Sequence, residues 1–319
     1  MNLLLAGDFD AAERDGWATA LRAALPGHRL CLARGELPDE QIEVAIVANP
    51  PPGGLAGLPR LRLIQSLWAG VDVLLADASL PPGVAIARMV DPAMNLAMAE
   101  TALWATLSLQ RGFFSYGAQQ RAGLWRQRAQ RRADELPVLV LGHGQMGRAV
   151  ARALLRQGYP VAAWRRGAAP ADEAVDPSLA GVTLHSGAAA LTTALAGAQV
   201  LVNLLPLTPD TRGLLDARLL AALPRGAGLV NLARGAHLVD ADLLAALASG
   251  QVGHAVLDVF QAEPLPAGHP YWRHPQVTVL PHVAALTDLR SAAAVVARNI
   301  DALATGMPLQ HPVVRGRGY

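Results

Sequence analysis

Short apolar runs alternate with amphipathic stretches along most of this chain, the pattern of strands separated by helices. In the first part, residues 2–6, 28–33, 44–47, 61–65 and 84–87 are predicted strands. Residues 13–25 are a predicted helix that stops at Pro26-Gly27, and Pro50-Pro51-Pro52-Gly53-Gly54 reads as a loop. A buried helix is predicted from about Asn95 past Gln110, because its apolar residues fall on most faces. The basic stretch 121–132, which holds Trp125, reads as a solvated interdomain arm. From Pro137 the alternation is regular. Strands are predicted at 138–141, 161–164, 200–203, 228–231, 255–257 and 277–280. The helices between them fall at 145–157, 188–196, 217–223 and 240–249, the last with Asp240 as its N-cap and Gly250 as its stop. A final helix is predicted at 288–304. Such an order implies an α/β protein with a parallel sheet covered by helices on both faces.

Composition narrows the chemistry. The chain has 319 residues, and its Lys+Arg total of 27 is entirely arginine. That excludes a Schiff-base lysine, a P-loop lysine and a lysine general base. A net charge of +2 over this length gives no electrostatic case for nucleic acid. No apolar run approaches the roughly 18 residues that would span a bilayer, and the start lacks a basic leader. The single cysteine, Cys31, suits a reducing cytoplasm. The histidines show no metal-ligand spacing, so no metal is expected.

Gly142-His143-Gly144-Gln145-Met146-Gly147 has the G-x-G-x-x-G form between a predicted strand and a predicted helix. There the first glycine permits the turn, the second lets a pyrophosphate approach, and the third lets helix pack on strand. His143 either approaches a phosphate or stands exposed. An NAD site places a carboxylate at the end of the next strand, for the ribose 2′-hydroxyl. Here that strand ends Trp164-Arg165-Arg166, and two guanidiniums would clasp a 2′-phosphate. NADPH is therefore expected, with NADH the weaker alternative, and Trp164 is a candidate to stack near adenine.

Three polar groups follow later strands: Arg234 in Asn231-Leu232-Ala233-Arg234-Gly235, Glu263 after Leu257-Asp258-Val259-Phe260, and His282 in Pro281-His282. Carboxyl ends of strands are where doubly wound sheets place ligands. Arg234 can bind a substrate carboxylate and polarise its neighbouring carbonyl. His282 can protonate the carbonyl oxygen, with Glu263 on its other ring nitrogen.

With these motifs the chain resembles the D-isomer-specific 2-hydroxyacid dehydrogenase family. Asn203-Leu204-Leu205-Pro206-Leu207-Thr208, Tyr271-Trp272-Arg273-His274-Pro275 and the ending Arg317-Gly318-Tyr319 resemble its glyoxylate/hydroxypyruvate reductase A branch. The resemblance implies a Rossmann-like doubly wound sheet at 99–284, inserted into a smaller flavodoxin-like α/β substrate domain at 1–98 and 285–319. It implies a homodimer, catalysis by Arg234, Glu263 and His282, and a small 2-keto acid substrate such as glyoxylate or hydroxypyruvate. It places Leu205, Pro206, Ala233 and Asp258 at the cofactor, and Trp68-Ala69-Gly70 at the substrate carboxylate. Trp125 resembles a tryptophan that reaches into the partner's active site, while Asn95 and Glu100 match structural positions. The branch commonly carries a tryptophan before the proline loop after the third strand, where this chain reads Ala48-Asn49-Pro50. Two other functions fit the same pattern: reduction of larger acids such as phenylpyruvate, and a non-catalytic NAD(P)-sensing protein.

Overall fold

A computed structural model describes residues 1–167 and 176–318, so Tyr319 lies outside the described residues. The chain divides into two compact units, 1–94 with 287–319, and 95–286.

The first unit contains β1 (Asn2–Gly7), α1 (Ala11–Ala24), β2 (Arg29–Cys31), β3 (Val44–Ala48), β4 (Leu63–Ser66), α2 (Asp72–Leu75) and β5 (Ala85–Ala87), and the C-terminal helix Leu289–Thr305. Its sheet is parallel in the order β2-β1-β3-β4-β5, the flavodoxin-like order. Asp10 caps α1 by accepting from the Glu13 amide at 2.8 Å, and Glu13 returns a bond to the Asp10 amide at 3.2 Å. The helix therefore starts earlier than its apolar positions suggest. Asp288 accepts from the amides of Arg290 and Ser291 and caps the last helix. Asn49, directly after β3, adopts a left-handed φ of 44°.

The second unit contains α3 (Pro92–Arg111), within which the division falls, α4 (Phe113–Arg121), β6 (Val138–Leu141), α5 (Gln145–Arg156), β7 (Val161–Arg165), β8 (Val182–Ser186), α6 (Ala188–Ala196), β9 (Val200–Asn203), α7 (Ala217–Ala221), β10 (Ala227–Asn231), α8 (Asp240–Ser249), β11 (Val252–Leu257) and β12 (Val277–Val279). Its parallel sheet runs β12-β11-β10-β9-β6-β7-β8. Strand order reverses between β6 and β9, and this switch point opens a crevice at the carboxyl ends of the strands. Alternate residues of β6 feed two cores. Val138 and Val140 pack with Ala102, Val150 and Leu154 from α3 and α5, whereas Leu139 and Leu141 pack with Leu195, Leu219 and Leu247 from α6, α7 and α8.

Four local details depart from the sequence expectations. Gly112, at φ 71°, ends α3 and starts α4, a separate helix. The solvent-exposed segment after α4 is no free interdomain arm. Its Arg126 amide donates to Gln119 at 3.1 Å and its Arg128 amide to the Tyr116 hydroxyl at 3.0 Å, which folds it back on α4. Strand β8 is a half-exposed edge without an apolar run to announce it. Val239, not Asp240, is the N-cap of α8, and Asp240 instead accepts from the Tyr271 hydroxyl at 2.9 Å.

Candidate active site

The glycine loop leaves β6 at the switch point, and its geometry separates the three glycines. Gly142 has φ 100°, and a methyl group there would fall 2.8 Å from the Leu204 carbonyl oxygen. On Gly147 a methyl would fall 1.8 Å from the Gly142 oxygen. Both are glycine because backbone passes against them. On Gly144 a methyl would meet nothing within 4 Å, so the space before it is open. Gly144 heads α5 without a side-chain cap, leaving the positive end of the helix facing that space. The residues present thus fit a dinucleotide pyrophosphate. Gln145 is exposed and Met146 half-buried in the first turn of α5. His143 is half-buried, not exposed.

Arg165 ends β7 and Arg166 follows it, paired with Asp210 in the loop after β9. Trp164 precedes them in β7. Its indole is buried in the core, and its ring N–H donates to the Gly187 carbonyl at 2.9 Å. Across the switch point, Leu205 is buried and Pro206 exposed after β9, while Ala233 is buried after β10.

A buried polar cluster that sequence reasoning did not identify ties those two loops together. Strands β9 and β10 both end in asparagine, the one signal in the sequence that pointed to it. The Asn203 amide nitrogen donates to Asn231 Oδ1 at 2.9 Å and to His237 Nδ1 at 3.0 Å. The Asn203 oxygen accepts from the Leu205 amide at 3.3 Å, which fixes the orientation of the side chain. His237 Nδ1 is therefore an acceptor, and its Nε2–H donates to the Pro206 carbonyl at 3.3 Å. The Asn231 nitrogen donates to the Arg234 carbonyl at 3.2 Å. All three side chains are fully buried, so an unmade bond here would be costly.

Arg234 projects from the loop after β10, half-buried, with Nη1 donating to the Ala233 carbonyl at 2.8 Å. The next residue has to be glycine, since a methyl on Gly235 would fall 1.8 Å from the Phe260 carbonyl carbon. That close approach brings the β11 loop, with Glu263, beside Arg234. Glu263 Oε1 accepts from the Phe260 amide at 2.8 Å, and Oε2 lies 2.6 Å from His282 Nδ1. His282 Nε2 is left for a reacting group.

Asp258 carries the His282 loop. Its carbonyl accepts the His282 amide at 2.9 Å, and its carboxylate oxygens accept from Val283 at 2.8 Å and Ala284 at 3.1 Å. Burial pushes the Asp258 carboxyl up, and these two amides oppose the shift. His282 itself has φ 55°, in the left-handed region that a non-glycine residue occupies only when its surroundings hold it.

The electrostatics suit proton donation. The hydrogen bond to Glu263 raises the His282 pKa, against partial burial and the nearby charge of Arg234. Burial would raise the Glu263 carboxyl, but its bonds to His282 and Phe260 and the charge of Arg234 outweigh that and hold it low. Both shifts thus favour a carboxylate with a protonated imidazole, set beside a guanidinium.

In the first unit, Trp68-Ala69-Gly70 follows β4 at the carboxyl edge of its sheet. The Trp68 amide donates to Ser66 Oγ at 3.0 Å, and the Trp68 carbonyl accepts the Met89 amide at 3.1 Å. Trp125 is 96% exposed. Among the described residues, no group of three His, Cys, Asp or Glu side chains could hold a metal ion, and no helix is long and apolar enough to cross a membrane.

Comparison with known proteins gives a consistent pattern. Residues 103–284 match the family model for "D-isomer specific 2-hydroxyacid dehydrogenase, NAD binding domain". The glyoxylate/hydroxypyruvate reductase A of Serratia proteamaculans is 40% identical over 313 residues, 96% of each chain. A D-isomer specific 2-hydroxyacid dehydrogenase from Xanthobacter autotrophicus, solved with NADPH and MES, is 40% identical with TM-score 0.93, covering 100% of this chain and 99% of its own. An NADPH-dependent glyoxylate/hydroxypyruvate reductase from Sinorhizobium meliloti, solved with NADP and sulfate, is 33% identical with TM-score 0.90, again covering 100% of this chain and 99% of its own.

Proposed function

The chain belongs to the D-isomer specific 2-hydroxyacid dehydrogenase family, and we propose that within it this protein reduces small 2-keto acids with NADPH, glyoxylate to glycolate and hydroxypyruvate to D-glycerate. The observation that carries this reading is the His282–Glu263 pair at 2.6 Å beside Arg234, in the same unit as the glycine loop. The names of the relatives support the substrate, and the cofactors of the solved neighbours support NADPH.

Gly142, His143, Gly144, Gln145, Met146 and Gly147 would hold the pyrophosphate, Arg165 and Arg166 the 2′-phosphate, and Leu205, Pro206, Ala233 and Asp258 the nicotinamide end. When bound, NADPH supplies the hydride. Arg234 fixes the substrate carboxylate with its planar fork and draws electron density from the adjacent carbonyl. His282 donates its Nε2 proton to the carbonyl oxygen as negative charge develops there. Glu263 keeps the ring oriented and protonated until that moment. The same reading assigns Trp68, Ala69 and Gly70 to the substrate.

The test is absorbance at the nicotinamide band with a panel of 2-keto acids, each run with NADPH and with NADH. Glyoxylate and hydroxypyruvate should lead the panel, with kcat/KM higher for NADPH. Replacing Arg165 and Arg166 together by alanine should lower kcat/KM for NADPH by about 10-fold or more and leave NADH nearly unchanged. Equal or better use of NADH by the wild type would refute the cofactor assignment, and no turnover with any 2-keto acid would favour a sensing role.

We also infer a cytoplasmic homodimer. Leu96, Trp104 and Leu107 of α3 share an exposed helical face, and Phe113, Leu124 and Trp125 add exposed apolar surface nearby in the chain. The family resemblance gives Trp125 a place in the partner's site, and its exposure leaves the indole available for it. Light scattering after gel filtration should return twice the chain mass of 33.4 kDa. A monomer at micromolar concentration would refute the assembly. A reducing compartment suits a chain whose one cysteine, Cys31, is a buried thiol.

A further inference from the structure

We propose that Asp210 sets the strength of the preference for NADPH over NADH, acting on Arg166. This rests on the cofactor reading above and deepens it. The sequence lacks a carboxylate at the end of β7, where an NAD site carries one, and has Arg165-Arg166 there instead. The structure brings a carboxylate to the Arg166 guanidinium from the loop after a different strand. Asp210 stands in the loop after β9 and forms an ion pair with the Arg166 guanidinium through Nη1 and Oδ2.

The loop that presents Asp210 is built, not loose. Thr211 Oγ1 accepts from the Thr208 amide at 2.8 Å and donates to the Pro206 carbonyl at 2.8 Å, and both threonines are buried. Asp210 itself projects outward, with its side chain 73% exposed. Its carboxylate is thus held next to Arg166 by the same loop that carries Pro206.

Two effects follow, and both act in one direction. A 2′-phosphate must share Arg166 with a carboxylate already on it, and the two anions repel. A 2′-hydroxyl can instead donate to that carboxylate, the role the missing β7 residue plays in NAD sites. Asp210 therefore weakens binding of the phosphorylated cofactor and favours the unphosphorylated one. It narrows a discrimination that the two arginines alone would make wider.

The test is calorimetric titration of the ligand-free protein with NADP⁺ and with NAD⁺, for wild type, Asp210→Asn, Arg166→Ala and the double variant. Asp210→Asn should tighten NADP⁺ and weaken NAD⁺, raising the ratio of affinities about threefold to tenfold at low salt. The gain for NADP⁺ should shrink as salt is added and shrink again in the Arg166→Ala background. An unchanged ratio overturns the proposal. So does a lower one, which would mean that Asp210 pre-orients Arg166 for the phosphate. If the wild type does not prefer NADP⁺ at all, the cofactor reading fails. That outcome is read from the wild type alone and is distinct from any effect of the variant.

Discussion

Replacing His282 by asparagine is expected to lower kcat for glyoxylate reduction by about 10²- to 10⁴-fold, with the Kd for NADPH nearly unchanged. Asparagine can keep a hydrogen bond to Glu263 but has no proton to give at the position of Nε2. The pH dependence carries the sharper information. In the proposed mechanism reduction uses protonated His282, and its pKa is raised by the Glu263 bond at 2.6 Å. The wild-type kcat/KM should therefore hold on the acid side and fall as pH rises through that raised value. Removing the charge in Glu263→Gln lowers the pKa of His282, so the fall moves to lower pH. A displacement of one pH unit would reduce activity on the alkaline limb about tenfold. Oxidation of the 2-hydroxy acid needs the neutral ring and should gain at neutral pH in the same variant. A pH profile left in place by Glu263→Gln would assign the proton to another group.

Arg234→Lys separates charge from shape. Lysine keeps one positive charge but loses the planar fork that grips a carboxylate and the neighbouring oxygen together. We expect kcat/KM for the keto acid to drop about 10²-fold with lysine and further with alanine, while NADPH affinity stays within about twofold. The alanine variant has a second signature. The Arg234 charge depresses the His282 pKa, so removing it should shift the alkaline limb to higher pH. That movement is opposite to the one in Glu263→Gln. If lysine restored full activity, Arg234 would act as a charge alone.

Much of this architecture was legible because its signals are local. The buried strands β6, β9 and β10 are continuous apolar runs, and the glycine loop lies between a strand and a helix as its spacing requires. Arg234, Glu263 and His282 each follow a strand, so a doubly wound sheet gathers them at one edge. What escaped the sequence depends on contacts between distant residues. Asp210 meets Arg166 across 44 positions, and Asn203 meets His237 across 34. Trp164 read as a cofactor contact because it precedes two arginines, but the sheet turns its ring inward. Asp240 has the composition of a cap, yet the Tyr271 hydroxyl claims it. Edge strand β8 lacks the apolar run by which the buried strands declare themselves.

The clasp made by Asp258 has a consequence for motion. The amides of His282, Val283 and Ala284 all donate to that one residue, two of them to its carboxylate. Freeing either Val283 or Ala284 alone would leave a buried carboxylate with half of its donors. The loop that carries His282 is therefore expected to open as a block. In solvent deuterium the amides of Val283 and Ala284 are expected to exchange together, and His282 is expected to move with them.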